Sequence, residues 1–496
     1  MSVRAFSVTG TAAALSALVA LAALQFPTQA DFMLTWRGQL DLAVSVWLIA
    51  FTVTWAGLTM LRSAWPGADA PAADASELGS GQGADSVVRW WALAGGLLLV
   101  CTVELALHAD ERNPFLATSR PTTGVVDWTV ADGYATLLDG HVAQGDGLFL
   151  LSMLKLFLGE APPAPSEFDR RAAHVYLVSL VTRPLGTYWA FTLINLVAWW
   201  VASLAVWWLV RRRWPGRGAP VVAATLTATG QGFVFMSTAP QAHALAFAAF
   251  AVLLVAADAL GVWAQEAGQG RRGRLRRWLR MGWATGAAGL VYLVYLPCLM
   301  FFWLFGAGRG RWVGLAAGSG VTLALVLGWE RYAAALLGLS FSGGNNDLAG
   351  EAANGWVDLT RRGMAYVVGQ VHHSSIRGMF VGAFYYPWWA LTAVGLAVSG
   401  PLARRWSLAV MVAAALPAIA FSTRFNLPRV AYFMYPAVYA TAAVGIGWLA
   451  ERAPSRPARR AIVVGLTALL VALTNADLVG LDQLALWFHH SQGTQW

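Results

Sequence analysis

A single carboxylate, Asp146, sits between Gly145 and Gly147 and separates two short apolar stretches, YATLLDGHVAQ and GLFLLSMLKLFLG. An acid held accessible in that way can take a proton from a hydroxyl or help hold a divalent metal. It lies in a segment, residues 109–185, with unusual polarity: Asp110, Glu111, Arg112, Asp127, Asp132, Asp139, His141, Lys155, Glu160, Asp169, Arg170 and Arg171. Arg170 and Arg171 suit a phosphate, because a guanidinium meets its oxygens two at a time. Arginines that snorkel to lipid headgroups explain the pair equally well, and acids that only solvate an exterior loop explain the carboxylates. A second polar concentration, residues 338–379, holds Asn345, Asn346, His372 and His373. Neighbouring residues on a helix point about 100° apart, so the two histidines do not ligate one metal together. His372 is therefore kept as a substrate contact or a solvated loop residue, and Glu330 beside Arg331, near the outer end of their span, as a partly buried pair lining a cavity. His243 stands near the outer surface ahead of another apolar run. No Walker loop, HExxH or GxSxG elbow occurs in a fitting context.

These groups need elements to hold them, and the composition says which kind. Of 496 residues, 58% are apolar and only 12% charged, about half the usual charged share of a soluble protein. A soluble enzyme would lack surface charge for so large a core. Apolar runs at about 8–26, 41–62, 90–108, 186–210, 219–238, 241–264, 312–337, 380–400, 406–423, 430–450 and 461–482 have the length of membrane spans. The expected fold is all-α, a polytopic transmembrane bundle of about eleven full spans plus a half-helix hairpin. The hairpin is placed at 282–305, bent near Pro297 with Gly286 and Gly289 at its packing face. The net charge is +9, and Lys155 is the only lysine. Arginine clusters occur at 211–217, 271–280, 309–311, 404–405 and 452–460. The positive-inside rule puts all of them in the cytoplasm, leaving 109–185 and 338–379 on the outer side. Interfacial helices lying flat at the membrane are expected in both. Two cysteines, Cys101 and Cys298, lie inside apolar runs and offer neither a disulfide framework nor a zinc site.

The order of these segments resembles a family. EFDRRAAHVYLVSLVTRPLGTYWAFTLINLVAWW, with its Arg pair, Gly186, Ala190–Phe191 and Asn195, looks like the GT-C superfamily of integral-membrane glycosyltransferases. STAPQAHALAFAAFAVLLVAADAL, RMGWATGAAGLVYLVYLPCLMFFWLFGAGRGRW and LPRVAYFMYPAVYATAAVGIGWL are similar to that family's later segments, over roughly residues 88–450. The resemblance implies a sugar donor carried on a polyprenyl phosphate and a glycan, lipid or protein acceptor. It implies an outer-loop acid as base, with Asp146 and the pair Asp110–Glu111 as rivals and Asp132 behind them. It also implies arginines on the departing phosphate. Arg429 leads those candidates, with Arg424 in the same short loop, followed by Arg170, Arg171 and Lys155. Metal dependence stays open.

Residues 1–65 read as a two-span N-terminal extension whose first run is retained rather than cleaved. Residues 66–87, rich in Ala, Gly, Ser and Asp, read as a flexible cytoplasmic linker. Residues 88–450 form the catalytic module, and 451–496 a last span with a short outer tail. The Arg-for-Lys bias suggests a bacterial inner membrane, with the N-terminus cytoplasmic and the active face periplasmic. The competing reading is a secondary transporter or flippase, kept alive by Gln231, Asp258 and Asp477 inside the apolar runs.

Overall fold

A computed structural model describes residues 14–15, 17–18, 85–108, 146–159, 172–214, 218–230, 242–260, 271–291, 311–336, 386–400, 403–404, 406–408 and 435–474. The described residues are helical, with no strand among them. The helices are α1 (Asp85–His108), α2 (Asp146–Leu158), α3 (Ala172–Leu185), α4 (Thr187–Arg213), α5 (Ala219–Ala228), α6 (His243–Ala259), α7 (Arg271–Val291), α8 (Arg311–Leu336), α9 (Tyr386–Val398), α10 (Tyr435–Glu451) and α11 (Arg456–Thr474). The N-terminal extension, apart from four helical residues near Leu15, lies outside the described residues, and α1 begins inside the segment read as linker.

The central element is α4. Gly186, at φ 79°, supplies the left-handed residue that separates it from α3, whose last turn already contains Pro184. Trp189–Arg213 is long and apolar enough to cross a membrane. At 1.5 Å per residue these 25 residues rise about 37 Å. Three arginines close the helix, where cations suit its dipole. Gly218 (φ 96°) and Pro220 then turn the chain into α5, which runs back along α4. Trp199 Nε1 donates to the Thr227 carbonyl at 3.1 Å across that pair. The next helix, α6, also packs along α4 and brings Asp258 to the arginines at its C-terminal end, so α4 and α6 point the same way.

Two later pairs are parallel as well, and glycines show it. A Cβ on Gly314 would strike Trp278, and one on Gly318 would strike Leu279 and Gly282. The contacts advance together along α7 and α8, at a constant offset of 314 − 278 = 318 − 282 = 36 residues. Both helices thus start, with Arg271 and Arg311, toward one end. Val291 lies level with residue 291 + 36 = 327, sixteen residues beyond Arg311, so the chain must return about 24 Å between them. The helix from Arg271 runs into the stretch read as a hairpin, whose remainder, residues 292–305, lies outside the described residues. The described seam lies at Trp278–Trp283, ahead of Gly286 and Gly289. Arginine is a good helix former, so the charged stretch extends the helix instead of interrupting it. Pro297 lies outside the described residues. In the second pair, Gly395 of α9 lies against the Thr441 backbone of α10, Gly445 against Leu391 and Gly395, and Trp388 edge-on to Tyr439 at 5.4 Å. Direction is set by Trp388 with Tyr439 and, further along both helices, Gly395 with Gly445, which advance together at offsets of 439 − 388 = 51 and 445 − 395 = 50 residues.

One end of the bundle collects the cations. Arg213, Asp258, Trp214, Ser399, Arg404 and Trp406 meet there, and the parallel pairing brings Arg452 to the same end. Arg404 donates to the Leu396, Ala397 and Ser399 carbonyls, satisfying the free acceptors at the end of α9. Ser455 caps α11 by accepting the Ala458 amide at 3.3 Å.

Candidate functional site

Distance from the cationic end can be read along α4. Trp199 lies 213 − 199 = 14 residues above Arg213, about 21 Å. Its bond to the Thr227 carbonyl puts Gly230, just past the end of α5, within about one turn of that height. Tyr439 packs its phenol against Gly230, where a side chain would have no room. His243 belongs to this layer too, because it is fifteen residues above Asp258 and therefore level with Ala198. Trp199, His243, Trp388 and Tyr439 are all buried, with Asn195 buried one turn further out. The layer interleaves ring hydrophobes with an imidazole and a phenol, the Trp199 indole N–H being already engaged by Thr227. That combination can floor a pocket that takes a polar group at one side and an apolar chain at another.

Above this floor α4 continues for about 16 Å, from Ala198 out to Thr187. The short helices α2 and α3 lie at that end because α3 joins the start of α4 directly through Gly186. In α2, Leu150, Met153 and Leu154 form one buried face at helical spacing. Phe157 meets Tyr176 of α3 edge-on at 5.9 Å, and His174, fully buried, tilts against Phe191 at 5.5 Å. On its other side α3 exposes Tyr176, Leu177, Leu180 and Leu185.

The sequence candidates divide accordingly. His243 is buried in the floor layer at the start of α6. Lys155 is half-buried in the last turn of α2, and Asp146 is that helix's first residue. Glu330 lies in α8 two turns before its end, with the exposed Arg331 next to it. Asp110, Glu111, Asp132, Arg170, Arg171, His372, Arg424 and Arg429 lie outside the described residues. Among the described residues no group of three His, Cys, Asp or Glu side chains is arranged to hold a metal.

Two acids behave differently from their sequence reading. Asp258, taken as a charge inside a span, is half of an ion cluster. Arg213 Nη2 donates to its Oδ1 at 2.6 Å and Arg212 Nε lies 3.1 Å from Oδ2. The partners sit 45 residues earlier, beyond the reach of any local pattern. Glu104 was absorbed into the apolar run 90–108, yet it is buried in α1, one turn from Cys101. The Cys101 thiol lies against Ser203, whose hydroxyl donates to the Trp199 carbonyl at 3.0 Å. Glu104 is thus within about one turn of the Ser203 level, deep in the bundle. An acid inside an otherwise apolar run was the available signal.

No protein-family model matches the chain, and no curated protein matches it. Among solved structures, the chain is similar to ArnT from Cupriavidus metallidurans in the apo state, at 17% identity over 69% of this chain and 68% of that one, with a TM-score of 0.41. It is similar to the same enzyme bound to undecaprenyl phosphate, at 15% identity over 78% and 73% of the chains and a TM-score of 0.43. It is also similar to the archaeal oligosaccharyltransferase AglB from Archaeoglobus fulgidus in complex with an inhibitory peptide and a dolichol-phosphate, at 15% identity, 81% and 57% coverage and a TM-score of 0.39.

Proposed function

We propose that this chain is a membrane glycosyltransferase that moves a sugar from a polyprenyl-phosphate donor to an acceptor at the end of the bundle opposite its arginines. The observation that carries the reading is the buried layer of Trp199, His243, Trp388 and Tyr439, about 21 Å from the cationic end. With those arginines at the cytoplasmic headgroups, about 5 Å outside the hydrocarbon, the layer falls just past the middle of a core about 30 Å thick, and the bundle above it opens toward the outer headgroups. A lipid-borne phosphate is held by its own chain at the outer headgroups, above that layer, with the chain reaching down toward it. The segment 337–385 leaves from α8 and re-enters at α9 on the same side, as do residues 231–241 between α5 and α6 and the chain before Tyr435.

In this mechanism a carboxylate takes the proton of an acceptor hydroxyl while the oxygen attacks the anomeric carbon. The bond from that carbon to the phosphate oxygen breaks, and the polyprenyl phosphate departs with the electron pair. Asp146 and Asp110 are the leading bases, with Glu111 and Asp132 behind them. Arg429, then Arg424, Arg170, Arg171 and Lys155, hold the phosphate as its charge grows. His243 supports the donor from the floor, and Glu330 and His372 face the acceptor. The proposal places the chain in a bacterial inner membrane as a multi-pass protein, with the active face periplasmic and residues 88–450 as the catalytic module.

Glu104 favours a second reading, a transporter or flippase, because buried acids within membrane bundles commonly mark ion or substrate paths. Asp258 no longer supports it, since the arginines occupy that acid. Purified protein assayed with a panel of polyprenyl-phosphate sugars and acceptor extracts decides between them. Transfer of label to an acceptor, retained in Glu104→Gln, is the expected result. Labelled lipid crossing a liposome bilayer without transfer, and lost in Glu104→Gln, would establish the second reading.

A further inference from the structure

Ten residues at the start of α7, RRGRLRRWLR, contain six arginines, and the helix has no acid anywhere along it. Arg272, Arg276 and Arg280 are exposed and follow one another at i, i+4 and i+8. At 100° per residue they fall at 0°, 40° and 80° around the helix, a single stripe. Trp283, exposed at 46%, is eleven residues past Arg272 and therefore at 20°, inside the same stripe. Arg280 lies about 4.5 Å from Trp283 along the axis, nearer the start of the helix. Among the described residues the three arginines form no ion pair. Like charges stacked at i, i+4 repel, and cations at a helix start oppose its dipole. The helix carries this unfavourable arrangement on one face, directly over an outward-facing indole of the kind that anchors at a membrane interface.

We propose that this stripe is a binding site for an anionic glycerophospholipid, with the phosphodiester on Arg276 and Arg280, Arg272 extending the field, and acyl chains alongside Trp283. Three guanidiniums complement the phosphodiester charge, and the indole fixes the depth at which a lipid, unlike a soluble phosphate, presents its headgroup. The site rests on the membrane placement of the bundle and not on the transferase reading.

The test uses the full chain, purified in a neutral detergent and titrated with phosphatidylglycerol or phosphatidylcholine while bound lipid is counted by native mass spectrometry. Phosphatidylglycerol should be retained selectively, with retention falling as salt rises. R272Q/R276Q/R280Q should lose roughly 100-fold in apparent affinity, while the charge-matched R456Q/R459Q/R460Q at α11 should lose little. R276K/R280K should keep most of the binding as point charges. Equal retention of both lipids by the unaltered protein would overturn the proposal, as would equal losses in the two triple variants. Displacement of the lipid by millimolar inorganic phosphate would assign the stripe to a soluble phosphate and overturn the lipid assignment. If the first triple variant cannot be recovered folded, the unaltered protein still decides. Its midpoint of thermal unfolding should rise with phosphatidylglycerol and not with phosphatidylcholine, and the absence of that difference would overturn the site.

Discussion

Removing Asp258 should expose how the cationic end is held together. The carboxylate serves two guanidiniums of unequal burial: the Arg213 side chain is 5% exposed, Arg212 37% and Asp258 14%. Asp258→Ala leaves Arg213 buried with its charge uncompensated, a change that costs about 3–5 kcal/mol in comparable sites. Arg212 reaches solvent, so its share is about 0–1 kcal/mol. The Arg213 guanidinium keeps its place over the Trp406 ring, 5.1 Å from the centroid, which retains roughly 0.5–2 kcal/mol. The loss should therefore fall near the lower bound, about 3 kcal/mol. Arg213→Met should cost less, because the remaining acid still has Arg212. The double variant Arg213→Met with Asp258→Leu should return most of the way, since a well-packed apolar pair replaces a desolvated ionic one at little net cost. Thermal unfolding of the parent, Arg213→Met, Asp258→Leu and their double variant in one detergent gives the cycle, and coupling of about 2 kcal/mol or more is expected. Asp258→Ala as stable as the parent would refute the reasoning. So would a double variant no better than Asp258→Ala.

Gly395→Ala should destabilise by about 1–3 kcal/mol despite its better helix propensity, because the new methyl meets the Thr441 backbone, which cannot swing aside. Gly447→Ala in the neighbouring helix meets open space and should be neutral or slightly stabilising; similar unfolding midpoints for the two would discredit the parallel seam. For the proposed chemistry, Arg429→Ala should abolish transfer with expression intact while Arg429→Lys keeps a little, and full turnover in the alanine variant would dismiss the assignment. Among Asp146→Asn, Asp110→Asn, Glu111→Gln and Asp132→Asn, one should lose several orders of magnitude in turnover with donor binding retained; normal turnover in all four would place the base elsewhere.

Much of the architecture was legible because its cause is local. The apolar run at 186–210 becomes Thr187–Arg213, and the run at 90–108 becomes most of Asp85–His108. The gathering of Arg213, Arg404 and Arg452 at one end follows the alternation of charge with hydrophobic length. The helix that enters the run at 282–305 begins earlier, at Arg271 in the cytoplasmic cluster, because long unbranched arginine side chains leave helix intact. What could not be read was cross-chain height. Nothing within a few residues of Asp258 marks Arg213 as its partner, and Trp199, Trp388 and Tyr439 passed for hydrophobic filler. Their significance depends on α5, α6, α9 and α10 arriving at one level. His243 was singled out on its sequence setting, and the structure places it in that layer.

The parallel glycine seam also sets an order on biosynthesis. Gly395 and Gly445 are 445 − 395 = 50 residues apart, so α10 follows α9 out of the ribosome by roughly 3–10 s at 5–20 residues per second. During that interval α9 presents a bare strip of backbone with no partner of its own. Consecutive antiparallel helices can enter a bilayer already docked as a hairpin, but a parallel neighbour must wait for the returning stretch to thread first. The closest helix contact in this half of the molecule is then among the last to form. Slowing elongation between residues 400 and 434 would lengthen the exposure, making synonymous codon choice there a determinant of yield.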